Sequence, residues 1–366
     1  LQYAKLISVL ENPPTVQYPV ILPDFFVDHF VILPSYEEFV KALNSLSKQG
    51  GGNLMGNEQF IRRGGNSVNT VSALHALGVG ARMIITTDEY GASLLEALAP
   101  PSIDKDHIHK NGRLSATVSI ETEYQDRKIN IMISDSGSAS AFGFDDLTGK
   151  DIELACKSGL VAIVNLNHNT KGAELASGLF KIVKETSSAA TFIDMGDPSS
   201  KPELVLPLVK NVIGEGLVDV LGANENEIGW FLWAISGKDD RRHHPLSSPK
   251  EWISGAKRLS TETGVVIDLH TPFFSAVVEK DEVVSVPSFQ VTSRAVCGAG
   301  DAWNAGDIYG RLLALPPRER IILANAIAAL YVSSRDASHP SRRDVINFLS
   351  SNPTLSIDGK KLLMQS

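Results

Sequence analysis

From residue 160 onward the chain alternates short, largely apolar runs with amphipathic stretches, and this rhythm limits the possible folds more than any other feature. The runs are Leu160–Asn165, Ala190–Asp194, Val218–Leu221 and Gly264–Leu269. Helical spacing fills 171–185, 202–212, 225–234 and 249–262 around them. Runs that are apolar on both sides belong to strands covered on both faces. Strand and helix in alternation give crossover connections, hence an α/β fold with a parallel sheet between helices. Ligands of such sheets bind beyond the carboxyl ends of the strands, where Asp194 and Asn224 fall. A hairpin, Ser275–Glu279 with Val283–Val286, and helices at 302–315, 319–334 and 341–350 are expected to follow.

The first half is less regular. Tyr18 to Leu22 and Ala81 to Thr86 read as strands, Tyr36 to Leu46 and Glu89 to Leu98 as helices. Lys48 to Asn57, rich in Gly and Asn, reads as a loop. Ala116–Thr122 and Lys128–Ser134 alternate in polarity around a Gln125-Asp126-Arg127 turn. With the segment from Phe25 to Leu33 they predict a small sheet apart from the main one, a lid built from about 25–33 and 113–135. Its strand edges suggest a homodimer. Residues 1–17, interrupted by Pro13-Pro14, are expected to be an extension and 351–366 a loose tail, leaving a domain over 18–350.

At 366 residues the chain can bury a large core. A net charge of −8 points away from a nucleic-acid surface, so any phosphate must be held by backbone dipoles, a metal ion and a few local cations. The two cysteines, Cys156 and Cys297, supply neither a disulfide framework nor a zinc set. With no apolar run of membrane-spanning length and no convincing signal peptide in Leu1–Leu10, the expected location is the cytoplasm.

Three stretches carry chemistry. In Gly298-Ala299-Gly300-Asp301 a small-residue turn runs into a helix start. Free backbone N–H groups there favour an anion, most simply a phosphoryl group. A carboxylate in the same turn repels that anion unless it has work to do, and taking the proton of an attacking hydroxyl is such work. The plainer alternative is a tight turn with Asp as helix cap. The chain has no Gly-x-x-x-x-Gly-Lys-Ser/Thr, and Trp303 stands where a dinucleotide fingerprint needs its third Gly. In the second stretch, Gly64-Gly65 lets a ligand approach the backbone, while Asn66 and Asn69 offer hydrogen bonds to hydroxyls. Asn66 is expected as N-cap of a helix ending at Gly78. In the third, Asn224 and Glu227 open a helix on one side; they fit a water-mediated Mg²⁺ site and a capping pair equally.

Taken together these pieces resemble the ribokinase-like (PfkB-type) carbohydrate kinase family over roughly 18–350. Gly298 to Gly306 is similar to its second signature, and Gly64-Gly65-Asn66 with Asn69 and Leu77-Gly78 to its first. Asn224-x-x-Glu227 resembles its magnesium motif, Asp28 its early substrate-binding Asp, and Asn325 to Pro340 its nucleotide-side segment. The resemblance implies a three-layer α/β/α domain with a mostly parallel sheet and a small β lid. It implies transfer of the γ-phosphoryl of ATP to a hydroxymethyl group of a sugar or nucleoside. By that resemblance Asp301 is the base, and the Gly298, Ala299, Gly300 and Asp301 N–H groups form the anion hole. Asp28, Gly64, Gly65, Asn66 and Asn69 hold the acceptor, Asn224 and Glu227 the Mg²⁺, and Asn224, Asp268, His270 and Asn325 the nucleotide.

The sequence departs from the family pattern at Asp268-Leu269-His270, at Ala295-Val296 and at Asp336. Ala295-Val296 replace an Asp-Thr that helps form a monovalent-cation site in several members, so the resemblance gives no support for a bound monovalent cation. A phosphosugar acceptor would call for a lid cation, with Arg113, Arg127 and Lys128 as candidates. Two other classes stay in view: a catalytically silent sugar-binding homologue, and a dinucleotide-dependent oxidoreductase, which lacks its early glycine fingerprint here.

Overall fold

A computed structural model describes residues 2–125, 127–236, 245–294 and 297–364; Arg241-Arg242-His243-His244, which read in sequence as part of a solvated surface loop, and the Ala295-Val296 departure lie outside the described residues. The strands are β1 (Pro19–Leu22), β2 (Phe26–Ile32), β3 (Glu58–Gly64), β4 (Arg82–Met83), β5 (Ile85–Thr86), β6 (Ile108–His109) and β7 (Ser115–Tyr124). They continue with β8 (Arg127–Asp135), β9 (Leu160–Val164), β10 (Ala190–Asp194), β11 (Val220–Ala223), β12 (Val266–His270), β13 (Phe274–Glu279) and β14 (Glu282–Pro287).

The main sheet runs β14-β13-β12-β11-β10-β9-β1-β4. Its strands are parallel from β12 to β4, and β13 and β14 add an antiparallel edge. Successive residues of each central strand enter opposite cores, as a pleat demands. Ile21, Ala162, Val164, Phe192 and Val220 belong to one core. Val20, Leu22, Val161, Ile163, Ile193 and Leu221 belong to the other. Helices Asn66–Ala76, Ala299–Leu312 and Pro317–Ser333 cover the first face, and Gly172–Thr186, Glu225–Ile235 and Pro249–Thr263 the second. The result is the three-layer α/β/α arrangement.

The lid is a separate four-stranded sheet, β3-β2-β7-β8, with β2 and β7 parallel and the outer pairs antiparallel. It has one strand more than expected. Glu58-Gln59-Phe60-Ile61-Arg62-Arg63-Gly64 is polar because β3 is half-exposed, so hydrophobic pattern alone does not mark it. Both termini are also better packed than expected. Helix Ala4–Glu11 puts Leu6, Ile7 and Leu10 into the first core, ahead of the break at Pro13-Pro14. At the other end Leu355 pairs with Phe289, and helix Ile357–Met364 follows. No helix among the described residues is long and apolar enough to cross a membrane.

Candidate active site

Just beyond the carboxyl end of strand β1 stands the fully buried Asp24. The Asp24 carboxylate accepts from the Asn66 N–H (2.9 Å), the Ser67 N–H (2.9 Å), the Ser67 hydroxyl (2.6 Å) and the Asn165 amide (2.8 Å). It thus caps helix Asn66–Ala76 from another element. The expected Asn66 cap is corrected accordingly: Gly65, at φ +88°, occupies the N-cap position and Asn66 opens the helix. Its side chain is left to face the cavity. Gly64 is needed for space, since a Cβ there would come within 2.1 Å of an Asp28 carboxylate oxygen.

Asp301 lies in the first turn of helix Ala299–Leu312, which begins earlier than the sequence predicted. Gly298, at φ +86°, is the N-cap, and a Cβ on it would meet the Tyr331 hydroxyl at 2.5 Å. That hydroxyl donates to the Cys297 carbonyl at 2.8 Å and fixes the loop. The first N–H groups of the helix, those of Ala299, Gly300 and Asp301, have no intrahelical acceptor, and Gly298, Gly300 and Asp301 line the site. The Asp301 carboxylate is buried and accepts from the Asn69 amide at 3.0 Å. Burial holds its pKa well above the usual carboxylate range; the Asn69 bond opposes this, and Asp24, Asp194 and Asp28 add to it. Asp28 is pushed up to about 7, by burial and by Asp24, against a hydrogen bond from Thr117.

Across the same cavity, of about 600 Å³, stand Asp194, Asn224, Glu227 and Asn304. Asn224 caps helix Glu225–Ile235 and forms a full capping box with Glu227: the Asn224 N–H and amide each donate to a Glu227 oxygen at 2.9 Å. Both readings of this pair from the sequence therefore remain compatible, because each carboxylate oxygen keeps a further lone pair. Asn304 donates to Asp194 at 2.7 Å, and its own amide oxygen is buried without a partner. Burial raises the Glu227 pKa well above normal, and Asp194 adds to this while the Asn224 N–H opposes it. An orphaned amide oxygen beside carboxylates that lack a counter-charge is a setting that fits a hydrated divalent cation. No group of three or more His, Cys, Asp or Glu among the described residues could hold a metal by itself. Mg²⁺ keeps several waters and shares its shell with phosphate oxygens.

Most expected residues thus meet in one cavity, lined by Asp28, Gly65, Asn66, Asn69, Asn224, Glu227, His270, Gly298, Gly300 and Asp301. Gly64 and Ala299 are not among its lining residues, although Gly65, Gly298 and Gly300 beside them are. Two residues expected at the nucleotide do not line this cavity. Asp268 is fully buried and spends its carboxylate on Arg311 and Arg320. Asn325 is buried as well; its amide oxygen accepts from the Ser275 hydroxyl (2.6 Å) and the Trp303 indole N–H (2.9 Å). His270 does line the cavity, stacked on Trp303 at 4.8 Å between ring centres. Sequence reading missed Asn165 and Asn304, whose partners Asp24 and Asp194 are more than a hundred residues away in sequence.

A model of the pfkB family of carbohydrate kinases matches residues 42–344. Among solved structures, Arabidopsis thaliana ribokinase complexed with ribose and ATP superposes with a TM-score of 0.68 at 16% identity, covering 92% of this chain and 99% of the other. Thermotoga maritima ribokinase gives 0.66 at 18% identity, covering 91% and 99%. Sinorhizobium meliloti adenosine kinase gives 0.63 at 14% identity, covering 92% and 100%. No curated protein sequence matches. At these identities the structural likeness establishes the fold alone. The family match spans most of the chain, and on it the chain belongs to the pfkB family of carbohydrate kinases.

Proposed function

We propose that this protein transfers the γ-phosphoryl group of ATP to an alcohol group of a sugar or nucleoside. The observation that carries the proposal is the placement of the Asp301 carboxylate in the same helix turn as three open N–H groups, beside Asp28 and Asn69. Structural neighbours described as ribokinase with ribose and ATP and as adenosine kinase support this acceptor class.

The acceptor hydroxyl faces Asp301 and gives it a proton as the oxygen attacks phosphorus. The bond from phosphorus to the bridging oxygen breaks, ADP leaves, and the proton passes from Asp301 to solvent. The N–H groups of Ala299, Gly300 and Asp301 meet the charge on the transferring group without having to reorient. Asn69 keeps the carboxylate aimed, and Asp28 with Asn66 holds the other acceptor hydroxyls. Asn224, Glu227, Asp194 and Asn304 would hold Mg²⁺ through water, and the ion would draw charge from the phosphate oxygens.

The test is ADP formation from ATP·Mg²⁺ over a panel of sugars, inositols, nucleosides and their phosphates. Acceptor-dependent ADP formation is expected. Its absence throughout the panel, with nucleotide bound, would remove the catalytic proposal. Gly64→Ala provides a positional test. The added methyl group has no room beside Asp28, so the carboxylate must shift by about an ångström, and a displacement of that size costs about 10²-fold in kcat/KM. The acceptor KM should carry most of the loss, and an unchanged acceptor KM would detach Asp28 from the acceptor.

A further inference from the structure

A second cavity, of about 390 Å³, adjoins the first, and Asp28, Asn69 and Cys297 line both. Its chemistry is different. Arg62 and Arg63 enter it from β3, Arg294 from the segment before Cys297, and Arg335 from the turn after helix Pro317–Ser333. None of the four makes an ion pair among the described residues, whereas Arg82, Arg113, Arg258, Arg311 and Arg320 are all paired. Three carboxylates, Asp28, Glu121 and Asp336, share the wall, so the arginines are in excess.

Two of these arginines are held in place in advance. The Arg62 guanidinium lies 4.5 Å from the Phe60 ring centre and 5.6 Å from that of Phe30, and those two rings stack at 4.8 Å. Arg63 donates through Nε to the Ser72 hydroxyl at 2.9 Å, which leaves its terminal nitrogens free. Burial lowers the Arg63 pKa, the sign of a cation kept from water without a counter-anion. The lid cations named from sequence do not compete for the role. Arg113 is paired with Asp135, and the side chains of Arg127 and Lys128 lie outside the described residues.

Asn69 joins the two chambers: its amide donates to Asp301, and it also lines the arginine chamber. An acceptor held by Asp28 and Asn69 with one hydroxyl at Asp301 therefore extends its far end among the arginines. We propose that the acceptor is a sugar phosphate, with its phosphate monoester bound by Arg62, Arg63, Arg294 and Arg335 and its opposite hydroxyl facing Asp301. Four planar guanidinium groups offer more donors than one carboxylate accepts, and a phosphate dianion with three terminal oxygens uses them better. The product would then be a sugar bisphosphate.

This proposal rests on the phosphoryl transfer proposed above, so its test reads binding and turnover separately. Wild type and the Arg62→Gln/Arg335→Gln double variant are titrated calorimetrically with ribose 1-phosphate, ribose 5-phosphate, fructose 6-phosphate, the parent sugars, gluconate and inorganic phosphate. ADP formation from ATP·Mg²⁺ is followed with the same compounds. The thermal midpoint of the double variant should stay near wild type, since neither side chain is fully buried.

At least one ester should bind at least about 100-fold more tightly than its parent sugar, the equivalent of two charge-assisted contacts at roughly tenfold each. The double variant should lose most of that margin and bind the parent sugar as before, with KM raised and kcat little changed. Esters that bind no better than free sugars overturn the proposal. So does a double variant that binds them as well as wild type does, and so does gluconate binding more tightly than every ester. If an ester binds through the arginines yet no ADP forms, the phosphate chamber stands and phosphoryl transfer falls.

Discussion

Asp301→Asn should lower kcat by about 10²–10⁴-fold, the range set by loss of a positioned general base, and should leave the fold as stable as before or more so. Asparagine keeps an oxygen where Asn69 donates, so the link between the acceptor side and the helix survives. The stability effect follows from the raised pKa. Burial favours the protonated form in the folded chain; the Asn69 bond offsets this in part, and Asp24, Asp194 and Asp28 reinforce it. Folding therefore carries an electrostatic cost at pH values above the folded pKa, and the cost vanishes as pH falls below the unfolded value. The neutral variant does not bear it. Its thermal midpoint at pH 8 should equal or exceed that of wild type, and the difference should close as pH approaches 4. In wild type, kcat/KM should rise with pH through an acid limb that the variant lacks. A variant with kcat within about tenfold of wild type would strip Asp301 of its role as base. A variant with a much lower midpoint would mean that the carboxylate serves the fold.

The parallel sheet was legible because β9 to β12 are covered on both faces, and continuous burial leaves a continuous apolar run. β3 was not, because half its residues meet water. The helix starts at Ala299, three residues earlier than the sequence predicts, since the two glycines of Gly-Ala-Gly have poor helix propensity and only the left-handed Gly298 shows where the helix opens. The site motifs were legible where their residues are adjacent, as in Gly64 to Asn69 and Gly298 to Asp301. What escaped depends on pairing across the chain. Asp24 follows strand β1, but its work as a cap is defined by Ser67 and Asn165. The arginine chamber escaped for the same reason: Arg62 and Arg63 are adjacent in sequence, yet Arg294 and Arg335 join them only through the fold.

Asp268 is a site-like sequence position whose carboxylate is engaged within the scaffold, and Arg320 is the residue that tests its role. The Arg320 Nη1 group donates to Asp268 at 2.6 Å and also to Asp307, while Arg311 bonds Asp268 and, through Nε at 3.1 Å, Asp307. Both carboxylates are fully buried. Burial alone would push Asp268 up, yet Arg311 and Arg320 hold it well below the usual carboxylate range. Arg320→Met removes a cation from two buried anions and should destabilise by about 3–5 kcal/mol, because an uncompensated buried charge costs more than the pair contributed. Adding Asp268→Asn to that variant should recover part of the loss, since one anion then disappears with its partner. Asp307 and Arg311 lie on the same helix as Asp301, and the network ties that helix to β12 and to Pro317–Ser333. Arg320→Met should therefore lower kcat as well, by shifting the base. Asp268→Asn alone should leave the ATP KM unchanged, because its side chain faces arginines and not the cavity. A large rise in ATP KM with an unaltered thermal midpoint would return Asp268 to the nucleotide site.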